Sequence, residues 1–175
     1  MPGLTIEILR DDVCYDTTAF DCGDATLNTF LAEHLKRQHD NRFLRAYILR
    51  TRDEAARVCG FYTLSGSSFE KAHLPSRTQQ KRAPYRNVPA VTLGRLAIDH
   101  HLQGEGWGST LVSHAMKAVY QASLTVGVHG MFVDALNEKA RDFYLSLGFI
   151  PLSGDISRAL FYPVTAMEAL FTAGV

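Results

Sequence analysis

A glycine-rich loop lies between a strand pattern and a helix pattern in the second half of the sequence. The strand is predicted over Ala90 to Asp99, three alternating glycines follow within His100 to Gly108, and a helix is predicted from Gly108 to about Leu124. Such glycines expose backbone N–H groups, and the start of a helix adds unpaired N–H donors and the positive end of the helix dipole. Together these groups bind anionic oxygens. We therefore predict that Gln103 to Ser109 binds a pyrophosphate without help from a lysine.

Other glycine-rich phosphate loops differ from this one in pattern. A Walker loop ends in Gly-Lys followed by Ser or Thr, whereas Gly108-Ser109-Thr110 contains no lysine. A dinucleotide-binding fold has its glycines in the first strand-helix unit, and this loop comes late, after a predicted hairpin. A glycine-rich turn that merely starts a helix remains open. Glu105 brings a carboxylate close to the expected phosphates, and we interpret its side chain as solvated.

Tyr144 is a second candidate for chemistry. It lies in a helix predicted from Asn137, a good N-cap, to Leu147, with Gly148 at the expected end. By spacing alone Tyr144 belongs to an apolar helix face and is a core aromatic. A phenol with a pKa near 10 is only about 2 kcal/mol from protonating a thiolate whose acid has a pKa near 8.5. A placed Tyr144 is therefore a candidate general acid for a reaction that expels a thiolate.

The remaining sequence predicts a strand-and-helix scaffold. A strand at Leu4 to Leu9 precedes a helix behind Asp24, and the next two strands form a hairpin. From residue 90 to 147 the order strand, helix, strand, helix predicts parallel neighbours with right-handed crossovers. Residues 66 to 89 have no periodicity and are predicted to be a long exposed connection with room for one short helical turn. The other predicted strands are 44–49, 58–64, 131–135, 149–152 and 159–163, and the last helix is 165–171.

Composition restricts the class of protein. The 175 residues are 46% hydrophobic, enough to bury the core of one domain spanning residues 1–175. The three cysteines have no metal-ligand or paired spacing, so we expect neither a disulfide framework nor a metal site. No run of about 18 apolar residues and no signal-peptide pattern occurs, so we expect a cytoplasmic protein that does not enter membranes. A net charge of zero disfavours a general nucleic-acid coat but allows local basic patches.

The loop Gln103-x-x-Gly106-x-Gly108 resembles the Gln/Arg-x-x-Gly-x-Gly/Ala signature of GNAT acetyltransferases. That resemblance implies an α/β (α+β) fold, in which a central mixed twisted sheet has a V-shaped splay between two parallel strands and helices on both faces. It implies acetyl-CoA as cosubstrate, with Asn137 as a cofactor contact and Tyr144 as general acid. It also implies that the strand backbone pairs with the pantetheine arm. The implied contacts in the strand and loop are Leu96, Ala97, Ile98, Gln103, Gly104, Glu105, Gly106, Trp107, Gly108 and Ser109.

The likeness is closer to one branch of that family, the AtaT, ItaT and TacT group of toxins from type II toxin–antitoxin systems. The segments that carry it are Phe20-Asp21-Cys22-Gly23, Gly60-Phe61-Tyr62-Thr63-Leu64, Leu93 to Asp99, Gln103 to Gly108 and Ala135 to Ala140. For this group the implied reaction is acetylation of the α-amino group of an aminoacyl-tRNA, which blocks translation. The implied partners are an antitoxin with a ribbon-helix-helix DNA-binding end and a second copy of the chain in a homodimer.

Proton availability supports such an acceptor. At pH 7 about 0.04% of a lysine amine is neutral, against roughly 14% of an α-amine with a pKa near 7.8. An α-amine therefore barely needs a general base. The sequence offers no well-placed one, because the neighbouring His100 and His101 are typical of a solvated turn.

Two basic runs could contact RNA. The first, which we predict to bind tRNA, has no acidic residue between positions 71 and 86 and consists of Lys71, Arg77, Lys81, Arg82 and Arg86. The second has Asp40 as its one acid and consists of Lys36, Arg37, Arg42 and Arg45. Ordinary solvated faces are the alternative for either run.

Three functional hypotheses remain open from the sequence. The first is a toxin that acetylates charged tRNA, and the second is a GNAT enzyme for a small amine or a protein amino group. The third is a non-catalytic binding domain that keeps the fold, and the occurrence of Tyr144 together with a complete loop in the same sequence disfavours it. The sequence does not select the aminoacyl group among initiator methionyl, isoleucyl, glycyl and other acceptors.

Overall fold

The computed structural model describes residues 3–153 and 158–172, with seven strands in this part of the chain. The strands are Leu4–Ile8 (β1), Arg45–Thr51 (β2), Val58–Glu70 (β3), Asn87–Ile98 (β4), Gly130–Asp134 (β5), Ile150–Pro151 (β6) and Ala159–Pro163 (β7). The helices are Ala25–Thr29 (α1), Leu35–Asp40 (α2), Arg77–Arg82 (α3), Trp107–Ser123 (α4), Glu138–Ser146 (α5) and Val164–Thr172 (α6). A π-helical turn, Phe30–His34, joins α1 to α2, and 3-10 turns occur at Lys71–His73 and His100–Leu102. Within the described ranges, no helix has both the length and the apolar character needed to cross a membrane.

The strands follow one another in the hydrogen-bonded order β1-β2-β3-β4-β5-β7-β6. β2 is antiparallel to β1 and β3, and β7 is antiparallel to both β5 and β6. β4 and β5 are parallel, with Ala90 opposite Gly130 and Thr92 opposite Phe132, and α4 connects them along the chain. The sheet is therefore mixed, as the sequence predicted.

The chain forms two compact units, and β3 and β4 each continue from one into the other. The first unit contains the residues up to Ser65 together with Gly94–Ser113. Its core contains the rings of Phe20, Phe30 and Phe61, with Phe61 lying 6.0 Å from Phe20 and 6.1 Å from Phe30 between centroids. Asp24 caps α1 by accepting hydrogen bonds from the N–H groups of Thr26 and Leu27, as predicted.

The second unit contains Gly66–Leu93 and the residues from His114 onward. Phe69 and Phe161 meet edge to face in its core, at 5.3 Å between centroids, and pack with Leu74, Val88 and Ala90. This core fixes the C-terminal part of β3 and the N-terminal part of β4 beside β7.

The exposed connection predicted over residues 66 to 89 is shorter in the structure, where it spans residues 71–86 and contains the one short helix that the prediction allowed. β3 continues to Glu70, Ser76 caps the helix α3, and β4 begins at Asn87. The serines of β3 are polar and therefore resemble a loop in sequence, but Ser67 accepts a 2.6 Å hydrogen bond from the Thr92 hydroxyl of β4. A neighbouring strand supplies the partner that local sequence patterns do not show.

Candidate active site

The glycine-rich loop has the backbone conformation that an anion site requires. Gly104 and Gly106 have φ angles of +81° and +89°, a region that side chains with a Cβ rarely adopt. Among the described residues, no heavy atom outside the two chain neighbours lies within 4 Å of the position that a Cβ would occupy at either glycine. The loop is exposed from Gln103 to Gly106, so its backbone is open to an approaching group.

The helix α4 starts directly after this loop, at Trp107. The N–H and the hydroxyl of Thr110 both donate to the carbonyl of Gly106, at 3.1 Å each. The N–H groups that precede Thr110 in the first turn are left for a ligand or water, and the positive end of a 17-residue helix dipole lies there. The Glu105 side chain is exposed, in agreement with its interpretation as solvated. The arrangement therefore fits a diphosphate.

The side chain of Gln103 anchors the loop to two other segments of the same unit. Its side-chain Nε2 donates two hydrogen bonds of 2.9 Å, one to the carbonyl of Cys22 and one to the carbonyl of Ile98. The sequence predicted Gln103 as a cofactor contact, and the structure shows that its amide nitrogen ties the loop to the end of β4 and to the segment before α1.

That N-terminal segment, residues 20–28, acts as a clamp on the loop. Asp21 Oδ1 accepts hydrogen bonds from the N–H of Gly23 at 2.9 Å and from Asn28 Nδ2 at 3.0 Å. Asn28 Oδ1 in turn accepts from the N–H of Cys22 at 3.0 Å. The carbonyl of Cys22 is thereby held where Gln103 reaches it. Sequence reasoning missed the clamp, although Phe20 to Gly23 had contributed to the family resemblance.

Asp99 joins the clamp to the end of β4. Its Oδ2 accepts a 3.0 Å hydrogen bond from the N–H of Asp21, and its Oδ1 accepts one of 3.0 Å from the N–H of His101. Burial raises the pKa of Asp99, but these hydrogen bonds outweigh burial and leave the pKa below its ordinary value. Asp99 is therefore a carboxylate at neutral pH, and it holds two segments in register.

The strand residues predicted to face the cofactor belong to the same unit as the loop. Ala97 and Ile98 are buried and Leu96 is half-buried. A Cβ on Gly60 of β3 would lie 3.0 Å from the Ala97 carbonyl oxygen, so a glycine allows the close approach of β3 and β4 there. The contacts of this strand with a pantetheine arm stay a prediction.

Tyr144 lies in the second unit, on α5, and is 7% exposed. Its ring packs edge to face on Phe149, with 5.2 Å between centroids. Burial raises the pKa of Tyr144 to about 12. Within the described residues its hydroxyl makes no hydrogen bond, so the phenol is a protonated donor free to act on a ligand. Asn137 Oδ1 caps α5 by accepting from the N–H of Ala140 at 2.9 Å, which leaves the Asn137 amide nitrogen for a cofactor.

A scan against protein families matches residues 44–151 to the model described as "Acetyltransferase (GNAT) domain". The chain belongs to the GNAT acetyltransferase family. The mixed sheet, the loop at the head of α4 and the buried tyrosine of α5 are thus parts of a GNAT fold, and the predicted fold class is confirmed.

Within the GNAT family the chain is similar to toxins of toxin–antitoxin systems. It is 34% identical over 134 residues to the "tRNA-acetylating toxin" of Mycobacterium tuberculosis, covering 77% of this chain and 78% of that one. A solved structure of AtaT complexed with acetyl-methionyl-tRNAfMet is 60% identical with a TM-score of 0.93, over 97% of this chain and 99% of that one. A Y144F mutant of AtaT bound to the C-terminus of the antitoxin AtaR and to acetyl-CoA is 57% identical with a TM-score of 0.85, over 97% and 98%.

The hydrogen bonds of Asp99 in the clamp allow a test of whether the clamp supports acetyl-CoA binding by the loop. We expect the substitution Asp99→Asn to raise the KM for acetyl-CoA about tenfold, because one charged hydrogen bond to the Asp21 N–H is lost. The kcat should stay near the parent value, since the variant keeps Tyr144. Steady-state kinetics check this, with Asp40→Asn as control because that exposed carboxylate also accepts a charged hydrogen bond, from Lys36. An unchanged KM with lowered thermal stability would show that Asp99 acts on folding alone.

The sequence indicated that His100 and His101 belong to a solvated turn. In the structure both residues also form hydrogen bonds within the clamp. His100 donates from both its N–H and its Nδ1 to the carbonyl of Asp21, at 2.8 and 2.9 Å. Possible metal-ligand atoms of Asp99, His100 and His101 lie within 4.8 Å of one another. Hydrogen bonds to Asp21 and between His101 and Asp99 already account for this proximity, so we assign the cluster to the clamp.

The basic residues predicted to bind tRNA are spread over α3 and its flanks. Arg77, Lys81 and Arg82 are exposed on the helix, and Lys71 is half-buried. Arg86 pairs with Glu70 at 3.1 Å, an acid that lies one position outside the basic run and was missed. In the second run, Lys36 forms an ion pair with Asp40 at 2.7 Å. The aspartate offsets the positive charge of Lys36, which makes Lys36 a weaker contact for an RNA phosphate. The first run therefore keeps three exposed basic side chains on one short helix, and none of them forms an ion pair with an acid in the described part of the chain.

Proposed function

We propose that this chain is a toxin N-acetyltransferase that transfers the acetyl group of acetyl-CoA to the α-amino group of an aminoacyl-tRNA and thereby blocks translation. The observation that carries the proposal is the open loop of Gly104 and Gly106 at the head of α4, which suits the diphosphate of coenzyme A. The similarity to toxins whose names include tRNA acetylation and acetyl-methionyl-tRNA supports the acceptor.

The residues of the loop and strand fit acetyl-CoA. Bound acetyl-CoA supplies an acetyl group activated as a thioester. We assign the diphosphate to the N–H groups from Gln103 to Ser109 and the pantetheine arm to the backbone of Leu96, Ala97 and Ile98. The Asn137 amide nitrogen is assigned to the cofactor as well. Two positive-φ glycines without neighbours at their Cβ positions support the diphosphate part of this assignment.

We assign Tyr144 as the general acid, donating its hydroxyl proton to the departing sulfur. With a pKa of about 12, raised by burial, the gap to a thiol of pKa 8.5 is about 3.5 units, or roughly 5 kcal/mol. This free-energy cost of proton transfer is larger than the cost of about 2 kcal/mol for a tyrosine with a pKa near 10. The same buried surroundings disfavour a thiolate, which raises the pKa of the departing sulfur and narrows the gap. Tyr144 therefore hydrogen-bonds to the sulfur first and releases its proton as negative charge develops.

The acceptor needs little help from the protein. An α-amine with a pKa near 7.8 is roughly 14% neutral at pH 7, and water can accept the proton that the nitrogen loses on acylation. This favours an α-amine over a lysine side chain as acceptor.

We place the tRNA backbone on α3 and its flanks, with contacts from Lys71, Arg77, Lys81, Arg82 and Arg86. The double substitution Lys81→Glu and Arg82→Glu should raise the KM for charged tRNA at least tenfold, because two phosphate contacts become repulsive. The KM for acetyl-CoA should not change. Steady-state kinetics at two salt concentrations measure both values, and the parent should lose tRNA affinity steeply with salt.

The matched control for this charge reversal is Arg52→Glu with Arg57→Glu, which changes the net charge equally at exposed positions of the other unit. Equal weakening of tRNA use by the control pair would mean that overall charge, and not α3, determines binding. Equal loss of acetyl-CoA and tRNA use in the α3 variant would also contradict the assignment.

An antitoxin is the second partner that we propose. AtaT is bound to the C-terminus of its antitoxin AtaR in a solved structure, and AtaT is similar to this chain over nearly its whole length. We extend this to an antitoxin with a ribbon-helix-helix DNA-binding end, and to a homodimer of the toxin in the cytoplasm, where its substrate occurs.

The experiment that tests the function uses labelled acetyl-CoA and fully charged total tRNA. Label should appear on tRNA and leave with the aminoacyl group when mild alkali hydrolyses the ester. Deacylated tRNA is the control and should remain unlabelled. Label on protein lysines or small amines instead would favour a GNAT enzyme of another substrate class, and no label on any acceptor would contradict the enzymatic role. Sequencing of the labelled tRNA identifies the aminoacyl group.

A further inference from the structure

A cavity of about 480 Å³ opens beside the basic helix α3 in the second unit. Its walls are mainly apolar and come from Leu74, Ala83, Pro84, Val88 and Pro89. No aspartate or glutamate lies among the residues that the described structure places around it, whereas Arg82 does. The volume lies in the range of small-ligand pockets. This cavity is distinct from the pyrophosphate loop, which belongs to the first unit.

Tyr85 stands at this cavity with 74% of its surface exposed. The ring has a face available for stacking, and it is next in sequence to Arg86 and three residues after Arg82. Proteins that bind single-stranded nucleic acid combine such exposed aromatic rings with cations that follow the phosphates. The adjacent Arg77, Lys81 and Arg82 supply the cations here.

Gln79 also lines the cavity, and its Oε1 is buried without a hydrogen-bond partner within the described residues. A buried acceptor that lacks a partner is destabilising, and it gains most from a ligand that offers N–H groups. A nucleobase edge carries the complementary donors and acceptors, whereas an apolar peptide side chain does not.

We propose that this cavity receives one unpaired nucleobase of the tRNA substrate, stacked on Tyr85, read by the amide of Gln79 and with its phosphate on Arg82. The proposal rests on the proposed function, because it names a part of the same substrate. Apolar walls, an exposed ring, a buried amide oxygen without a partner and a cation in a described lining that has no acidic residue are together the chemistry of an unpaired nucleotide.

The test measures the binding of an acceptor-stem minihelix with an unpaired ACCA end. We expect Tyr85→Ala to weaken binding roughly 5- to 150-fold, the range for loss of one stacked base. Tyr85→Phe should bind like the parent, because the ring is kept. In salt titrations Tyr85→Ala should keep the slope of log K against log salt, whereas Arg82→Gln should reduce it by about 0.7, the value for one phosphate contact.

Abasic minihelices locate the base. Removing the base at one unpaired position should weaken binding to the parent and leave binding to Tyr85→Ala unchanged. Leu124→Ala is the control, because Leu124 is similarly exposed, at 71%, and does not line the cavity. It should bind the minihelix like the parent.

Three results would overturn the proposal. One is parental RNA binding by Tyr85→Ala, and another is an equal effect of every abasic position in both proteins. The third is a Tyr85→Ala variant that binds the minihelix like the parent but loses affinity for a peptide with the sequence of the AtaR C-terminus, which would make the cavity a protein-docking site. If the parent protein does not acetylate charged tRNA, the proposed function itself is contradicted. If the parent protein acetylates charged tRNA and the Tyr85→Ala variant is equally active, only the nucleobase site is contradicted.

Discussion

We expect the substitution Tyr144→Phe to lower kcat about 100- to 10,000-fold, the usual contribution of a positioned general acid. The substitution removes one oxygen from a side chain that is 7% exposed and packed on Phe149, so the fold and the acetyl-CoA affinity should be retained. The hydroxyl has no hydrogen-bond partner within the described residues, and its removal therefore breaks no internal bond. The loss should appear in kcat while the KM for acetyl-CoA stays close to that of the parent.

The pH dependence gives an independent check on this role. Because burial raises the pKa of Tyr144 to about 12, the phenol stays protonated throughout the accessible range and imposes no alkaline limb below pH 10. The parent's kcat/KM for charged tRNA should rise with pH as the α-amine of the acceptor loses its proton near pH 7.8, and then level off. A fall in rate between pH 8 and 10 would indicate another acid with an ordinary pKa.

Tyr120→Phe is the matched control for Tyr144→Phe. Tyr120 is a half-buried tyrosine on α4 whose ring contacts Phe171, so the same atom is removed from a similar setting. The control should keep the parental kcat. A Tyr144→Phe variant as fast as the parent, with the control unchanged, would remove Tyr144 from the chemistry and leave proton delivery to water.

The substitution Gly106→Val should cause a loss of acetyl-CoA affinity of about 10- to 100-fold. Gly106 has a φ of +89°, which a β-branched residue does not accept without strain, so the loop must rearrange. Open space surrounds the Cβ position, and the new side chain therefore projects toward the approaching diphosphate and not into the protein. Loss of one charged hydrogen bond from the loop accounts for the expected magnitude.

Gly148→Ala separates backbone strain from ligand binding. Gly148 has a φ of +97° at the end of α5, so its replacement is also strained and should lower thermal stability. Its affinity for acetyl-CoA, measured by isothermal titration, should remain parental. If both variants lost acetyl-CoA affinity equally, general destabilisation and not the loop would explain the result.

The elements predicted well are those whose signals are local. The strand before the loop and the start of α4 were predicted from glycine spacing and apolar periodicity, and the structure has them within a few residues. Asp24 and Asn137 were predicted as helix caps because a cap binds N–H groups two or three residues away. Such contacts are encoded in consecutive residues and need no knowledge of the fold.

The parts that failed depend on partners distant in sequence. The polar residues of β3 were interpreted as a loop, because their hydrogen bonds go to β4 some 25 positions later. The clamp was missed because Gln103 and Cys22 are 81 positions apart, and Asp99 and Asp21 are 78 apart. The ion pair between Glu70 and Arg86 was not predicted, because Glu70 lies one position before the basic run, which begins at residue 71. One domain spanning the whole chain, the homodimer and the assigned site residues stay predictions.

The sequence by itself determined the chemistry available to this protein: a loop of bare amides before a helix, a tyrosine on a capped helix, and a run of basic residues without an acid between positions 71 and 86. Glycine conformation, helix capping and side-chain pKa are properties of a few neighbouring residues, and so a sequence specifies them directly. The tertiary structure alone decided what holds the loop in place and how far burial raises the pKa of Tyr144. It also decided that a cavity adjoins α3 and that the buried Oε1 of Gln79 has no partner within the described residues. Those properties arise from contacts between remote segments, and only folding brings such segments together.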